Sequence, residues 1–249
     1  MRRACLLIAL AMTAGLAAPA RASPSVAVYG GTDGVGTIFI ATRLQETGSF
    51  GAVTILDGSE SAAALGSYDS ILFYTNIGGD SGFADKMAGY VAGGGHLVAS
   101  TFLWLADSHG GSDGLGLLAP YLPFTGYRGN STGLTLGAYD AQSPLMAGVD
   151  TLYSVYHDDT TLAPDATLVA SWSNGMPLEA VSADGVVGIT LFPNDSYGYI
   201  SGDYVRLFSN ALLTPTPRSF AARVAVSEPA SLAVLGAGLI GLGWVRRRA

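Results

Sequence analysis

Residues 25–50 run SVAVYGGTDGVGTIFIATRLQETGSF. The apolar run at 26–29 predicts a buried strand, the glycine-rich GGTDGVGT a tight loop, and IFIATRLQETGSF an amphipathic helix. Strand, tight loop and helix in that order open an α/β unit. Two more apolar runs follow, AVTILDG at 52–58 and YDSILFYTN at 68–76, with a short helix expected between them around 61–65. In SGFADKMAGYVAGGG (81–95), Phe83, Met87 and Val91 recur at the spacing of one helix face, and the triple glycine can end that helix in the left-handed region. HLVAST (96–101) then reads as another buried strand. Alternation of this kind, with near-continuous apolar strands, predicts a parallel sheet covered on both faces by helices.

Downstream the texture changes. Residues 102–136 are richer in glycine and aromatics and read as a long loop region or a small excursion. Beyond them TLYSVYH (151–157), ATLVASWS (166–173), PLEAVSADG (177–185) and GVVGITLFP (185–193) are strand-like, with turn signals at Ser173-Asn174-Gly175 and Asp184-Gly185. These hairpin features predict antiparallel strands added to the sheet. SGDYVRLFSNALL (201–213) is the closing helix, with Ser201 or Asp203 as its N-cap. No internal repeat of fixed period is present.

Composition narrows the function classes. The chain of 249 residues holds 12 Lys and Arg against 19 Asp and Glu, a net charge of -7. Between 23 and 226 the basic residues are only Arg43, Lys86, Arg128, Arg206, Arg218 and Arg223, while every acidic residue but Glu228 lies there. Such a body argues against nucleic acid as a partner, since a phosphate backbone demands a basic face. The one cysteine is Cys5, inside a segment expected to be removed, so neither a disulfide nor a thiol nucleophile is expected in the body.

The segments YVAGGGHLVAS (90–100), SPLMAGV (143–149), LVASWSNGMPLEAV (168–181) and GVVGITLFPNDSYGYISGDYVRLFSNALL (185–213) resemble successive blocks of class I glutamine amidotransferase-like domains, above all the ThuA-like branch. The resemblance extends over a domain at 23–213 and implies an α/β, flavodoxin-like three-layer sandwich with a mostly parallel sheet and some added antiparallel strands. Enzymes of that fold attack an amide with a cysteine on a sharp strand-to-helix elbow, activated by a histidine and a carboxylate. Here the elbow falls on Ser100, Thr101 and Phe102, with no cysteine and no G-x-S-x-G, which argues against glutamine amidotransferase activity and leaves a serine or threonine hydroxyl, Ser100 or Thr101, as the candidate.

Other candidates follow the same strand ends. Asp107 and His109 lie just beyond the elbow, and His157, Asp158 and Asp159 form a compact HDD that suits a divalent metal, an acid–base pair, or simply a solvated turn or cap. Asn194 and Asp195 stand near the end of a late strand, opposite the elbow. Trp104, Tyr121, Phe124 and Tyr127 are candidates for stacking on sugar rings, or for plugging the edge of the sheet. The loop GGTDGVGT admits an anion-binding reading, although it has no lysine and misses G-x-G-x-x-G. No motif calls for a cofactor. An enzyme using Asp107, His109, His157 and Asp158, a hydrolase or metal-dependent carbohydrate-active protein, is the rival to a non-catalytic body.

Both ends read as addresses. Arg2 and Arg3, an apolar run at 4–18 and the small-residue pattern Ala20-Arg21-Ala22 form a signal peptide at 1–22, with cleavage by signal peptidase expected before Ser23. Residues 214–226 form a proline-containing linker. The tail at 227–249, SEPASLAVLGAGLIGLGWVRRRA, joins Ser227-Glu228-Pro229 to an uncharged run and to Arg246, Arg247 and Arg248. The uncharged stretch at 230–245 would reach about 24 Å as a helix, a little under a bilayer core of roughly 30 Å, and the arginines would stay on the cytoplasmic side. This layout resembles the PEP-CTERM sorting domain of Gram-negative bacteria, with Ser227 where that family usually has proline. It implies export, a transient membrane anchor, removal of the tail by an exosortase, and a final place on the cell surface or in an exopolysaccharide-rich matrix.

Overall fold

The computed structural model describes residues 23–76, 80–105, 114–130 and 132–214. Its opening is the expected unit: β1 (Ser25–Tyr29), a glycine loop, then α1 (Gly34–Glu46). β2 (Ala52–Ile55), α2 (Ala62–Leu65), β3 (Ser70–Phe73), α3 (Ser81–Ala92) and β4 (His96–Ser100) continue the alternation. Each helix starts where a side chain can accept an orphan N–H: Asp33 from Gly36, Ser61 from Ala64, and Asp80 from Phe83. At the end of α3 the chain turns through Gly94 at φ +89°, a conformation costly for any residue with a Cβ.

β2, β1, β3, β4 and β11 (Val187–Ile189) lie side by side and run parallel. Alternate residues of these strands feed two cores. Val26, Val28, Leu72 and Val98 meet Ile40 and Leu44 of α1 and Leu207 and Phe208 of α4 (Tyr204–Leu213). On the opposite face Ala27, Ile71, Phe73, Leu97 and Ala99 meet Leu65 of α2 and Phe83, Met87 and Val91 of α3. Burying one such Leu, Ile or Phe contributes about 1.5–3 kcal/mol over leaving it exposed, so helices on both faces are held by the strands themselves. The result is a three-layer α/β sandwich around a parallel core.

The sheet does not stop at β11. β10 (Pro177–Val181), β9 (Thr167–Trp172), β6 (Leu134–Tyr139), β7 (Leu152–Ser154) and β12 (Ile200–Gly202) extend it to ten strands, every added pair antiparallel. β5 (Phe124–Gly129) and β8 (Asp159–Leu162) form a separate two-stranded antiparallel sheet. The sequence expectation of a loop over 102–136 is therefore corrected: β5 and part of β6 occupy it. Their pairings are broken by register shifts, with Gly126 at φ +63° inside β5, which erases the two-residue alternation a strand normally shows.

Asp203 precedes α4, but its carboxylate caps nothing in the helix. It instead accepts the backbone N–H groups of Asp150 and Thr151 at 3.0 and 2.9 Å, tying α4 to the antiparallel extension. Among the described residues no helix is long and apolar enough to cross a membrane. The segment at 1–22 expected to be a signal peptide, residues 215–226 of the linker, and the tail at 227–249 with its expected apolar helix and arginines lie outside the described residues.

Candidate functional site

The strand order diverges about β1: β2 lies on one side of it, and β3 followed by β4 on the other. Such a divergence opens a crevice at the carboxyl ends of the strands, where α/β proteins place ligands. In this crevice sits a buried network centred on Asp33. Asn194 Nδ2 donates to Asp33 Oδ1 and Oδ2 at 3.2 and 3.0 Å, and Tyr74 donates to Oδ2 at 3.2 Å. The Gly36 N–H donates to Oδ1 at 3.2 Å, and Thr37 Oγ1 donates to the Asp33 carbonyl at 2.6 Å. Burial pushes the Tyr74 phenol up, the Thr37 hydroxyl opposes it, and the adjacent Asp33 carboxylate adds to the rise.

The glycines serve this closure. A Cβ on Gly36 would sit 2.0 Å from Asp33 Oδ2 and 2.4 Å from Asn194 Nδ2, and one on Gly30 would sit 2.0 Å from Thr37 Oγ1. GGTDGVGT therefore wraps the protein's own carboxylate at the start of α1, the position a bound anion would take. This replaces the anion-binding reading of that loop.

Around the elbow the picture is different. Thr101, immediately after β4, is fully buried, and the Asp158 N–H approaches its Oγ1 at 3.4 Å. The structure thus brings together two of the residues singled out from sequence. Asp158 is itself fully buried, and neither carboxyl oxygen has a hydrogen-bond partner among the described residues. Burial pushes its carboxyl up to about 8, while the nearby Thr101 hydroxyl and Trp104 amide pull the other way. Neither of those groups reaches bonding geometry with the oxygens, so burial prevails and Asp158 is mostly protonated at neutral pH.

His157 turns elsewhere. Its Nε2 lies 3.1 Å from Asp159 Oδ1, its ring centroid 5.2 Å from that of Trp172, and burial lowers its pKa despite Asp159. It is therefore a neutral, packed histidine whose ring is bonded to Asp159. The solvated turn considered for His157-Asp158-Asp159 is corrected by the same facts: His157 bridges to Leu191, and the Asp158 N–H donates to the Thr190 carbonyl at 3.2 Å. Asp107 and His109 lie outside the described residues. Among the described residues no group of three potential ligands could hold a metal ion.

The aromatic candidates separate. Trp104 and Phe124 are buried, ring to ring at 5.2 Å, and the Trp104 indole donates to the Phe124 carbonyl at 3.2 Å. They plug the sheet and offer no face to a sugar. Tyr121 and Tyr127 are half-buried. Asn194 is buried in the Asp33 network.

Sequence reasoning missed Glu179, fully buried in β10 with both carboxyl oxygens unpartnered among the described residues and its carboxyl pushed up to about 8 by burial alone. A carboxylate in the middle of an otherwise apolar strand, PLEAV, was the available signal. It also missed Tyr197, whose ring is 68% exposed beside Tyr199.

The fold has known counterparts. A ThuA-like protein from Bacteroides uniformis superimposes with a TM-score of 0.62 at 12% identity, over 82% of this chain and 99% of that one. A GMP synthase protein from Thermoplasma acidophilum gives 0.55 at 12%, over 82% and 98%. A β-galactosidase from Rahnella sp. R3 gives 0.53 at 16%, over 76% of this chain but 31% of that enzyme. At such identities the likeness is one of fold. No curated protein matches the sequence. Residues 225–248 match the PEP-CTERM protein-sorting motif, which indicates an exported, exosortase-sorted protein of a Gram-negative bacterium.

Proposed function

We propose that this chain is a non-catalytic protein of the cell surface or extracellular matrix, released from its signal peptide by signal peptidase and from its tail by an exosortase, whose body binds exopolysaccharide. The observation that carries the destination is the sorting motif at 225–248. The non-catalytic reading rests on the elbow, where Thr101 is covered and the neighbouring histidine is bonded to Asp159 instead of serving as a base. The rival hydrolase would need His157 and Asp158 to touch a substrate, and both side chains are fully buried.

The intact mass of the protein recovered from host fractions tests the destination. A species beginning at Ser23 and lacking the residues beyond Ser227-Glu228-Pro229 is expected outside the inner membrane. Recovery of a membrane species that keeps Arg246, Arg247 and Arg248 would make the tail a permanent anchor and remove the support for a matrix protein.

A further inference from the structure

Tyr153 sits in β7 between buried Leu152 and Ser154 and so faces the opposite side of the sheet, where it is 38% exposed. Register places Thr135 of β6 and Ser201 of β12 directly beside it, and both are exposed. Hydroxyl, ring and hydroxyl thus form one row across three strands. Leu152 and Ile200 point into the core under α1 and α4, so this row lies on the other face, uncovered among the described residues.

The row continues toward the carboxyl edge. Val155 donates to the Tyr199 carbonyl at 2.8 Å, which carries the β7–β12 pairing one step further toward that edge. Tyr197 follows, its ring centroid 5.6 Å from that of Tyr199. Tyr199 is braced edge-on by Tyr156 at 4.9 Å, and Tyr156 by buried Phe102 at 6.2 Å. The most exposed ring therefore ends a chain of rings rooted in the core.

We infer that the row Thr135, Tyr153, Ser201, Tyr199 and Tyr197 is the contact surface for an uncharged polysaccharide chain. The inference deepens the exopolysaccharide reading above and rests on it. Tyrosine rings match the C–H faces of sugar rings, and the flanking hydroxyls match their rims. β6, β7 and β12 contain no charged residue, and the chain's net charge of -7 repels a polyanion. A folded protein partner would call for an apolar anchor sunk in a pocket, where this face has hydroxyls beside every ring.

Affinity electrophoresis of the full chain through native gels containing dextran, hydroxyethylcellulose or alginate tests the assignment. Retardation is expected in at least one neutral polymer and not in alginate. Tyr197→Ala and Tyr153→Ala should each weaken it about tenfold, with Ile38→Ala, exposed on α1 on the opposite face, as an unchanged control. Both target side chains lie outside the core, and an unchanged Tm confirms that the variants fold. Neutral-polymer binding undiminished in both variants would overturn this surface while leaving the polysaccharide reading intact. Absence of binding to either neutral polymer would overturn both, and equal retardation by alginate would overturn the choice of an uncharged ligand.

Discussion

Asp33 and Asp158 are the same side chain, both buried at the carboxyl edge of the parallel core, in opposite circumstances. Asp33 receives Asn194, Tyr74 and the Gly36 amide, while neither oxygen of Asp158 has a described partner. A buried carboxyl either collects donors or gives up its charge. The first arrangement clamps β1, β3 and the segment after β11 together, and the second makes the elbow sensitive to pH. Glu179, alone in β10, belongs with Asp158.

The largest expected effect comes from breaking the clamp. Asp33→Ala leaves the donors of Asn194, Tyr74 and Gly36 buried without their acceptor, at a cost of about 3 kcal/mol, which lowers the Tm by roughly 6–12 °C. Thermal unfolding followed by circular dichroism measures it, and a loss under about 1 kcal/mol would mean that the network is ornamental.

Next in size is the alkaline response of Asp158 and Glu179, the buried acids without a partner among the described residues. Both folded-state values are raised, to about 8 from 3.8 for Asp158 and 4.5 for Glu179. The folded protein therefore holds protons that the unfolded chain releases, so this contribution is complete below about pH 4 and falls as pH rises through about 8. Unfolding free energies from urea titrations across that window should decline by a few kcal/mol. Glu179→Gln cannot ionise, so it should match the natural protein at pH 4 and be the more stable at pH 9. Parallel curves for the two proteins would show that Glu179 has a partner.

A smaller effect probes the satisfied side again. Tyr74→Phe removes one donor to Asp33 and the contact at 3.1 Å with Thr37 Oγ1, but Asn194 and Gly36 still hold the carboxylate. About 1 kcal/mol should be lost, without any new pH dependence between 5 and 9.

The same contrast marks what the sequence makes legible. The parallel core announces itself because each strand is a continuous apolar run closed by glycine or a capping residue, as at 26–31 and 96–101. β5, β6 and β8 do not, since glycines and register shifts break their alternation and their pairing partners are distant in the chain. Asn194 could be placed near a strand end, yet its partner Asp33 lies 161 residues away, a pairing only the closed sheet creates. His157 and Asp158 look solvated by residue type alone. Their burial follows from pairing with Leu191 and Thr190, which no local pattern shows.

The smallest expected change isolates the elbow itself. Thr101→Val replaces a buried hydroxyl by a methyl of similar size, and the contact it loses, the Asp158 N–H at 3.4 Å, is long for a hydrogen bond. Stability at pH 6 should therefore move by under about 1 kcal/mol. The same hydroxyl favours the ionised form of Asp158, so without it the carboxyl should hold its proton to higher pH. The distinguishing readout is the Asp158 titration, followed by carbon NMR of a carboxyl-labelled protein, with an upward shift in midpoint and little loss of fold. A downward shift, or none, would mean that Asp158 answers to burial alone and that Thr101 merely fills space beside it.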